Sequence, residues 1–229
     1  METNTEENIL HINGIALYYQ VHGQGEPLLL MHGGNGSSEN FRAMLPELIK
    51  HFQVITPDSR AHGRSTDTDQ PLSYRHMVDD MVGLLDALRI DSVYAGGWSD
   101  GAGTGLHMAI YHPNRVRALI LTPVDLSAEA LSDIFWEDAK ARKWNIPKKL
   151  ATWWSTRTSP SEEELSRIEV PTLIIAGQNE QYIKHDYFKR WHQLIPNSEL
   201  VWIPEASHFL VFEQPDEVNQ AILSFLNNL

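Results

Sequence analysis

The stretch Ser92-Val93-Tyr94-Ala95-Gly96-Gly97-Trp98-Ser99-Asp100-Gly101-Ala102-Gly103-Thr104-Gly105-Leu106-His107 decides how the rest of the chain reads. Its opening, Ser92–Gly96, is a short run of the kind a buried strand shows. From Gly101 to His112 the spacing is helical, and the helix is expected to stop before Pro113. Between them lies Gly97-Trp98-Ser99-Asp100-Gly101, which fits G-x-S-x-G. That pattern suits a serine exposed on a sharp turn from strand to helix. Glycines two before and two after the serine remove side chains that would collide as the backbone folds back on itself.

Outward from this turn, apolar runs alternate with helix-period segments. The runs are Pro27–Met31, Val54–Pro57, Val116–Thr122, Thr172–Ala176 and Leu200–Pro204. They are nearly continuous rather than alternating, as in strands buried on both faces of a parallel sheet covered by helices. A hairpin is expected over Ile9–Ile12 and Ile15–Val21, turning at Asn13-Gly14. Residues Met1 to Asn8 read as a frayed polar tail. Ser73 is placed to cap a helix whose apolar positions are Met77, Val78, Met81, Leu84, Leu85 and Leu88. Asp186–Leu194 is a shorter helix, and Pro215 opens another with Val218, Ile222 and Phe225 on one face.

The alternation breaks between Leu126 and Ile168. No strand-like run occurs there, and Ser159-Pro160-Ser161-Glu162 reads as a capping box with proline at the first helical position. The segment is expected to be a small helical cap at about 126–168 within a single domain spanning residues 1–229.

A serine hydroxyl is a weak nucleophile. It needs a base, and the base needs an orienting acid. The expected chain order is serine, acid, histidine. His208 follows a strand in a short loop, whereas His185 and His192 fall on a helical segment. Glu180 follows the strand over 171–176 and is the favoured acid, with Asp125, after the preceding strand, as the alternative. His32-Gly33-Gly34 follows the first parallel strand. Gly34 and Asp100 are the expected amide donors of an oxyanion hole. Trp98, Trp153, Trp154 and Phe209 are candidate walls of a substrate pocket. Positions 32–34, 58–62, 99–101, 125, 180 and 208 all follow the carboxyl ends of expected strands, where sites in open parallel sheets form.

These motifs together resemble the α/β-hydrolase superfamily over nearly the whole chain, from Ile9 to Leu229. Asp58-Ser59-Arg60-Ala61-His62-Gly63-Arg64-Ser65 is similar to that family's D-x-R-G-x-G-x-S loop. Ser207-His208-Phe209 through Glu213-Gln214-Pro215 is similar to its G-H-F…E-x-P segment. The resemblance implies an α/β-hydrolase fold: a mostly parallel sheet of about eight strands, helices on both faces and a small cap. It assigns the nucleophile, acid and base to Ser99, Glu180 and His208. Glu180 stands where the family usually has Asp, Ala61 and Ala102 replace common glycines, and Ser207 replaces the glycine before the histidine. The cap is short for the family, which leads to the expectation of a partly open site with weak discrimination by acyl size.

The implied activity is that of a serine hydrolase cleaving a carboxylic ester or lactone through an acyl-enzyme. Carbon–carbon or amide hydrolysis, perhydrolysis, and a ligand receptor retaining the fold are the alternatives. Such hydrolysis needs no cofactor, and no metal-ligand spacing such as H-E-x-x-H is present. The chain has 229 residues, 18 Lys+Arg against 30 Asp+Glu, and a formal net charge of −12. That acidity disfavours nucleic acid and anionic membrane surfaces as partners. Cysteine is absent, which excludes disulfides, thiolate metal sites and a cysteine nucleophile. With no signal-peptide pattern and no apolar run near the ~20 residues of a membrane helix, a cytoplasmic protein acting on a small molecule is expected.

Overall fold

The computed structural model describes residues 5–123, 129–141 and 145–229, Thr5 and Glu6 by their backbone alone. Eight strands form one sheet. They are β1 (Thr5–Ile12), β2 (Ile15–His22), β3 (Glu26–Met31), β4 (Phe52–Pro57), β5 (Val93–Trp98), β6 (Val116–Thr122), β7 (Thr172–Gly177) and β8 (Ser198–Ile203). Their spatial order is β1-β2-β4-β3-β5-β6-β7-β8. The β1–β2 and β2–β4 pairings are antiparallel, and all the others are parallel.

Asn13 and Gly14 both have positive φ, 47° and 79°, as a two-residue hairpin turn with the sheet's twist requires. The first strand begins earlier than its polar sequence suggests. Ladder pairing starts at Thr5↔His22, so residues 5–8 belong to the sheet and not to a tail. Backbone hydrogen bonds hold this edge without apolar side chains, and Glu7 adds contacts to Gln20 and Arg64.

Among the described residues the helices are α1 (Leu45–Leu48), α2 (Tyr74–Leu88), α3 (Asp100–Tyr111), α4 (Asp133–Lys140), α5 (Lys148–Thr156), α6 (Glu162–Ser166), α7 (His185–Leu194), α8 (Leu210–Glu213) and α9 (Pro215–Leu226). None is long and apolar enough to cross a membrane. At the start of α2, the His76 amide donates to Ser73 Oγ at 3.2 Å, a cap whose loss typically costs about 1 kcal/mol.

Successive side chains of a strand point to opposite faces, and both faces here are buried. Leu29, Met31, Leu119, Leu121, Ile174 and Ala176 pack on one side with α2, α3 and α7. Leu28, Leu30, Ala118, Ile120, Leu173 and Ile175 pack on the other with α1 and α9. This two-sided burial accounts for the unbroken apolar runs.

The segment after β6 supplies three short helices, α4 to α6, whose Phe135, Leu150, Trp153, Trp154 and Leu165 join the same apolar cluster as the first sheet face. One element differs from expectation. The cap of α6 is Ser161, with the Glu164 amide donating to Ser161 Oγ and the Ser161 amide donating back to Glu164. Pro160 therefore precedes the helix, because the Ser161/Glu164 pair satisfies the box two residues later than Ser159 would. The segment also makes an antiparallel bridge, Leu131↔Ile183, to the loop beyond β7.

Candidate active site

Ser99 sits between β5 and α3 with φ 54° and ψ −120°. A non-glycine residue held there stores about 1–3 kcal/mol of strain, which surrounding contacts must outweigh. The Ser99 amide reaches the carbonyls of Thr122 and Pro123, each at 3.0 Å. The flanking glycines are required by contact. A Cβ on Gly101 would lie 1.9 Å from the Met31 carbonyl oxygen, and one on Gly97 would lie 2.4 Å from the carbonyl carbon of Gly101.

His208 lies beyond β8, and its Nε2 is 3.3 Å from Ser99 Oγ. On its far side Nδ1 is 3.0 Å from Glu180 Oε2. With Nδ1 donating to the carboxylate, Nε2 is left to accept the serine proton; the tautomer follows from these partners. Glu180 Oε1 accepts the amides of Tyr182 at 2.7 Å and Ile183 at 3.2 Å. Burial alone would raise the Glu180 carboxyl. The His208 imidazole and those two amides outweigh it, and its pKa falls below the ordinary 4.5.

The histidine loop is anchored from two directions. Trp98 Nε1 donates to the His208 carbonyl at 2.8 Å. Ser207 donates through its amide (2.7 Å) and its hydroxyl (2.8 Å) to the two oxygens of Glu213. Ser207 thus uses its side chain where the family's glycine has none.

A cavity of about 220 Å³ opens beside Ser99. Gly34, Trp98, Asp100, Trp154, His208 and Phe209 line it, as do Leu131, Phe135, Arg157, Tyr182 and Phe212. Trp153 does not. It packs edge-on against Tyr74, ring centroids 4.9 Å apart, as part of the core. Neighbouring helix positions are about 100° apart, so Trp153 and Trp154 cannot face the same way. Asp125 lies outside the described residues. His107 is structural: its ring stacks on Tyr74 at 4.2 Å, and burial lowers its pKa.

Gly34 and Asp100 both border the cavity beside Ser99. A Cβ at Gly34 would lie 2.2 Å from Asp100 Oδ2 and 2.4 Å from Trp154 Cζ2, so the absent side chain makes room for both. Asp100 is the first residue of α3, where free helical amides and the macrodipole favour negative charge. The Asp100 carboxylate is itself held by the cap. Trp154 Nε1 donates to its Oδ2 at 2.7 Å, and Arg157 donates to its Oδ1. Arg157 had no sequence signal, because nothing in a short polar segment announces which residue turns inward. The cap reaches further over the site than its length suggests, since α5 lays its carboxyl end directly on the elbow.

Other residues near the strand ends are structural pins. Asp58 accepts the amides of Ser38 (2.7 Å) and Arg64 (2.8 Å). Arg60 makes two 2.7 Å bonds to Asp80. Among the described residues no cluster of His, Cys, Asp or Glu is arranged to hold a metal ion.

A hydroxyl, an imidazole and a buried carboxylate in this order are chemically competent for acyl transfer. The comparisons agree with the fold. A family model described as alpha/beta hydrolase fold matches residues 26–140 and 135–215. The chain is 24% identical to a 2-hydroxy-6-oxo-6-(2'-aminophenyl)hexa-2,4-dienoic acid hydrolase of Metapseudomonas resinovorans, over 96% of this chain and 91% of that protein. It is 27% identical to the serine hydrolase BPHL of Mus musculus, over 94% and 84%. The carboxylesterase CesB (YbfK) of Bacillus subtilis superposes with a TM-score of 0.87 at 19% identity, covering 99% of this chain and 93% of that one.

Proposed function

The chain belongs to the alpha/beta hydrolase fold family, and on that footing we propose that it is a serine hydrolase of small carboxylic esters or lactones. The observation that carries this reading is the line from Ser99 Oγ through His208 to Glu180, with contacts of 3.3 Å and 3.0 Å. Ser99 attacks the carbonyl carbon as His208 Nε2 takes its proton. The amides of Gly34 and Asp100 hold the resulting oxyanion, each such donor being worth about 10²–10³ in kcat. Collapse expels the alcohol, which receives the proton from His208. Water, activated by the same imidazole, then releases the acid. Glu180 keeps Nδ1 protonated and stabilises the imidazolium.

A carbon–carbon bond hydrolase is the second reading, favoured by the substrate named for the Metapseudomonas resinovorans relative. A panel of p-nitrophenyl esters tests the first. The wild type should turn over many molecules per chain, and a fluorophosphonate probe should label it at Ser99. Ser99→Ala should lose the label and about 10⁴–10⁶ in kcat. Equal labelling of both proteins would remove Ser99 from the role of nucleophile. A single turnover per chain would favour a receptor.

A further inference from the structure

The cavity beside Ser99 is walled mainly by Trp98, Phe135, Trp154, Tyr182, Phe209 and Phe212. Apart from His208, only two of its described lining residues carry charge, Asp100 and Arg157. They are paired with each other, and their side chains are 6% and 3% exposed. We propose that this pair makes the site selective for small uncharged acyl groups, with Asp100 as the specificity-determining residue. The inference rests on the hydrolase reading above, in which this cavity receives the acyl group.

An arginine buried against a reaction pocket is the usual partner for a ligand carboxylate, because its fork matches two oxygens. Here that role is already taken from within the chain. Asp100 Oδ1 accepts from Arg157, and Asp100 Oδ2 accepts from Trp154 Nε1 at 2.7 Å. The carboxylate cannot swing away easily. Asp100 follows the strained Ser99 at the first position of α3, and a Cβ on Gly34 would lie 2.2 Å from its Oδ2, so that side is closely packed. An anionic acyl group would therefore enter a cavity whose cation is neutralised. It would lose its hydration without gaining an ionic partner, and the ionised Glu180 lies just behind His208. An uncharged group meets aromatic walls. The volume of about 220 Å³ is below the roughly 300–1,000 Å³ of drug-sized sites, so the favoured groups are short chains and single small rings.

The test compares two p-nitrophenyl esters of nearly equal shape that differ in charge, those of adipamic and adipic acid. The wild type should prefer the amide over the acid by about 10² in kcat/KM, the uncharged end being the one that needs no ionic partner. Asp100→Asn keeps the size and the acceptor for Trp154 but removes the carboxylate charge that faces Arg157. It should shift the ratio at least about tenfold toward the adipic ester. Adding Arg157→Met to Asp100→Asn should restore the preference for the amide. Wild-type rates within about threefold of each other overturn the proposal whether or not the variants fold, as does a ratio unmoved in folded Asp100→Asn. Fluorophosphonate labelling of Ser99 is run alongside. A labelled enzyme indifferent to charge sinks this inference alone, whereas an unlabelled one sinks the hydrolase reading.

Discussion

Glu180 and His208 meet at 3.0 Å between Oε2 and Nδ1, while the other carboxylate oxygen is occupied by the amides of Tyr182 and Ile183. Every oxygen of this acid has an assigned donor, so its charge and its orientation are fixed together. Replacing it with glutamine breaks that match. An amide nitrogen must then face either a protonated Nδ1 or two backbone donors. The histidine is pushed toward the wrong tautomer, a change that costs about 10⁴ in kcat in a comparable triad. Glu180→Gln should lose about 10³–10⁴ in kcat, and Asp125→Asn much less. The reverse ranking in steady-state kinetics would move the acid to the earlier strand.

Acid sensitivity should come in part from His32. Its Nδ1 lies 2.7 Å from the Gly33 carbonyl, and its Nε2 accepts the Ser59 amide at 2.9 Å. Protonating Nε2 would break the second bond. Burial, with His62 nearby, pushes the His32 pKa from 6.5 down to about 4. The unfolded chain binds a proton near 6.5 that the folded chain refuses until about 4. Stability contributed here is complete above 6.5 and declines as pH falls through that window, by about 1.4 kcal/mol per pH unit at most. Urea midpoints at pH 7, 6 and 5 should drop less steeply in His32→Asn than in the wild type. Parallel slopes would assign the effect elsewhere.

Ala61 adopts φ 65° at a position where glycine is common in the family it resembles. A left-handed alanine costs about 1–2 kcal/mol. Glycine would relieve this but add about 0.4–1 kcal/mol of unfolded-state entropy and lose a methyl contact. Ala61→Gly should therefore change stability by between about 0 and +1 kcal/mol. A loss beyond about 1 kcal/mol by chemical denaturation would mean that the methyl packing dominates.

The short cap led to an expectation of tolerance for bulky acyl groups. The position of α5 argues otherwise, because Trp154 and Arg157 rest on Asp100 and close one side of a cavity of about 220 Å³. Across the ester panel, kcat/KM should fall by more than about 10³, some 4 kcal/mol, from acetyl or butyryl to branched or polycyclic acyl groups. A flat profile would restore the open-site expectation, with the ligand spread over the exposed rim at Phe212.

Much of this architecture is legible in the residues because burial on two faces leaves a strong trace. Val116–Thr122 matches its strand end for end, the other parallel strands differ from their apolar runs by one or two residues at an end, and β1 begins four residues before Ile9. Ser99 is legible because a strand runs into its turn and a helix runs out. His208 is legible by chain order and by its loop. What escapes is information carried by packing alone. Which of Trp153 and Trp154 faces inward depends on the rotation of α5 about its axis, a property no local pattern encodes. Arg157 escapes for the same reason, since its partner Asp100 is 57 residues away. The start of β1 escapes because edge pairing with β2 rests on backbone bonds and not on apolar side chains.

The bond from Trp98 Nε1 to the His208 carbonyl spans 110 residues. It joins the strand that leads into Ser99 to the loop that carries His208. Contacts of such long range are made late, because the intervening chain must lose its freedom before they reward it. During refolding, β3, β5 and α3 can assemble the elbow while the His208 loop is still unplaced. Hydrolytic activity should therefore return only after β8 has docked beside β7, later than the recovery of helical signal. The reaction itself becomes a clock for the last stage of folding.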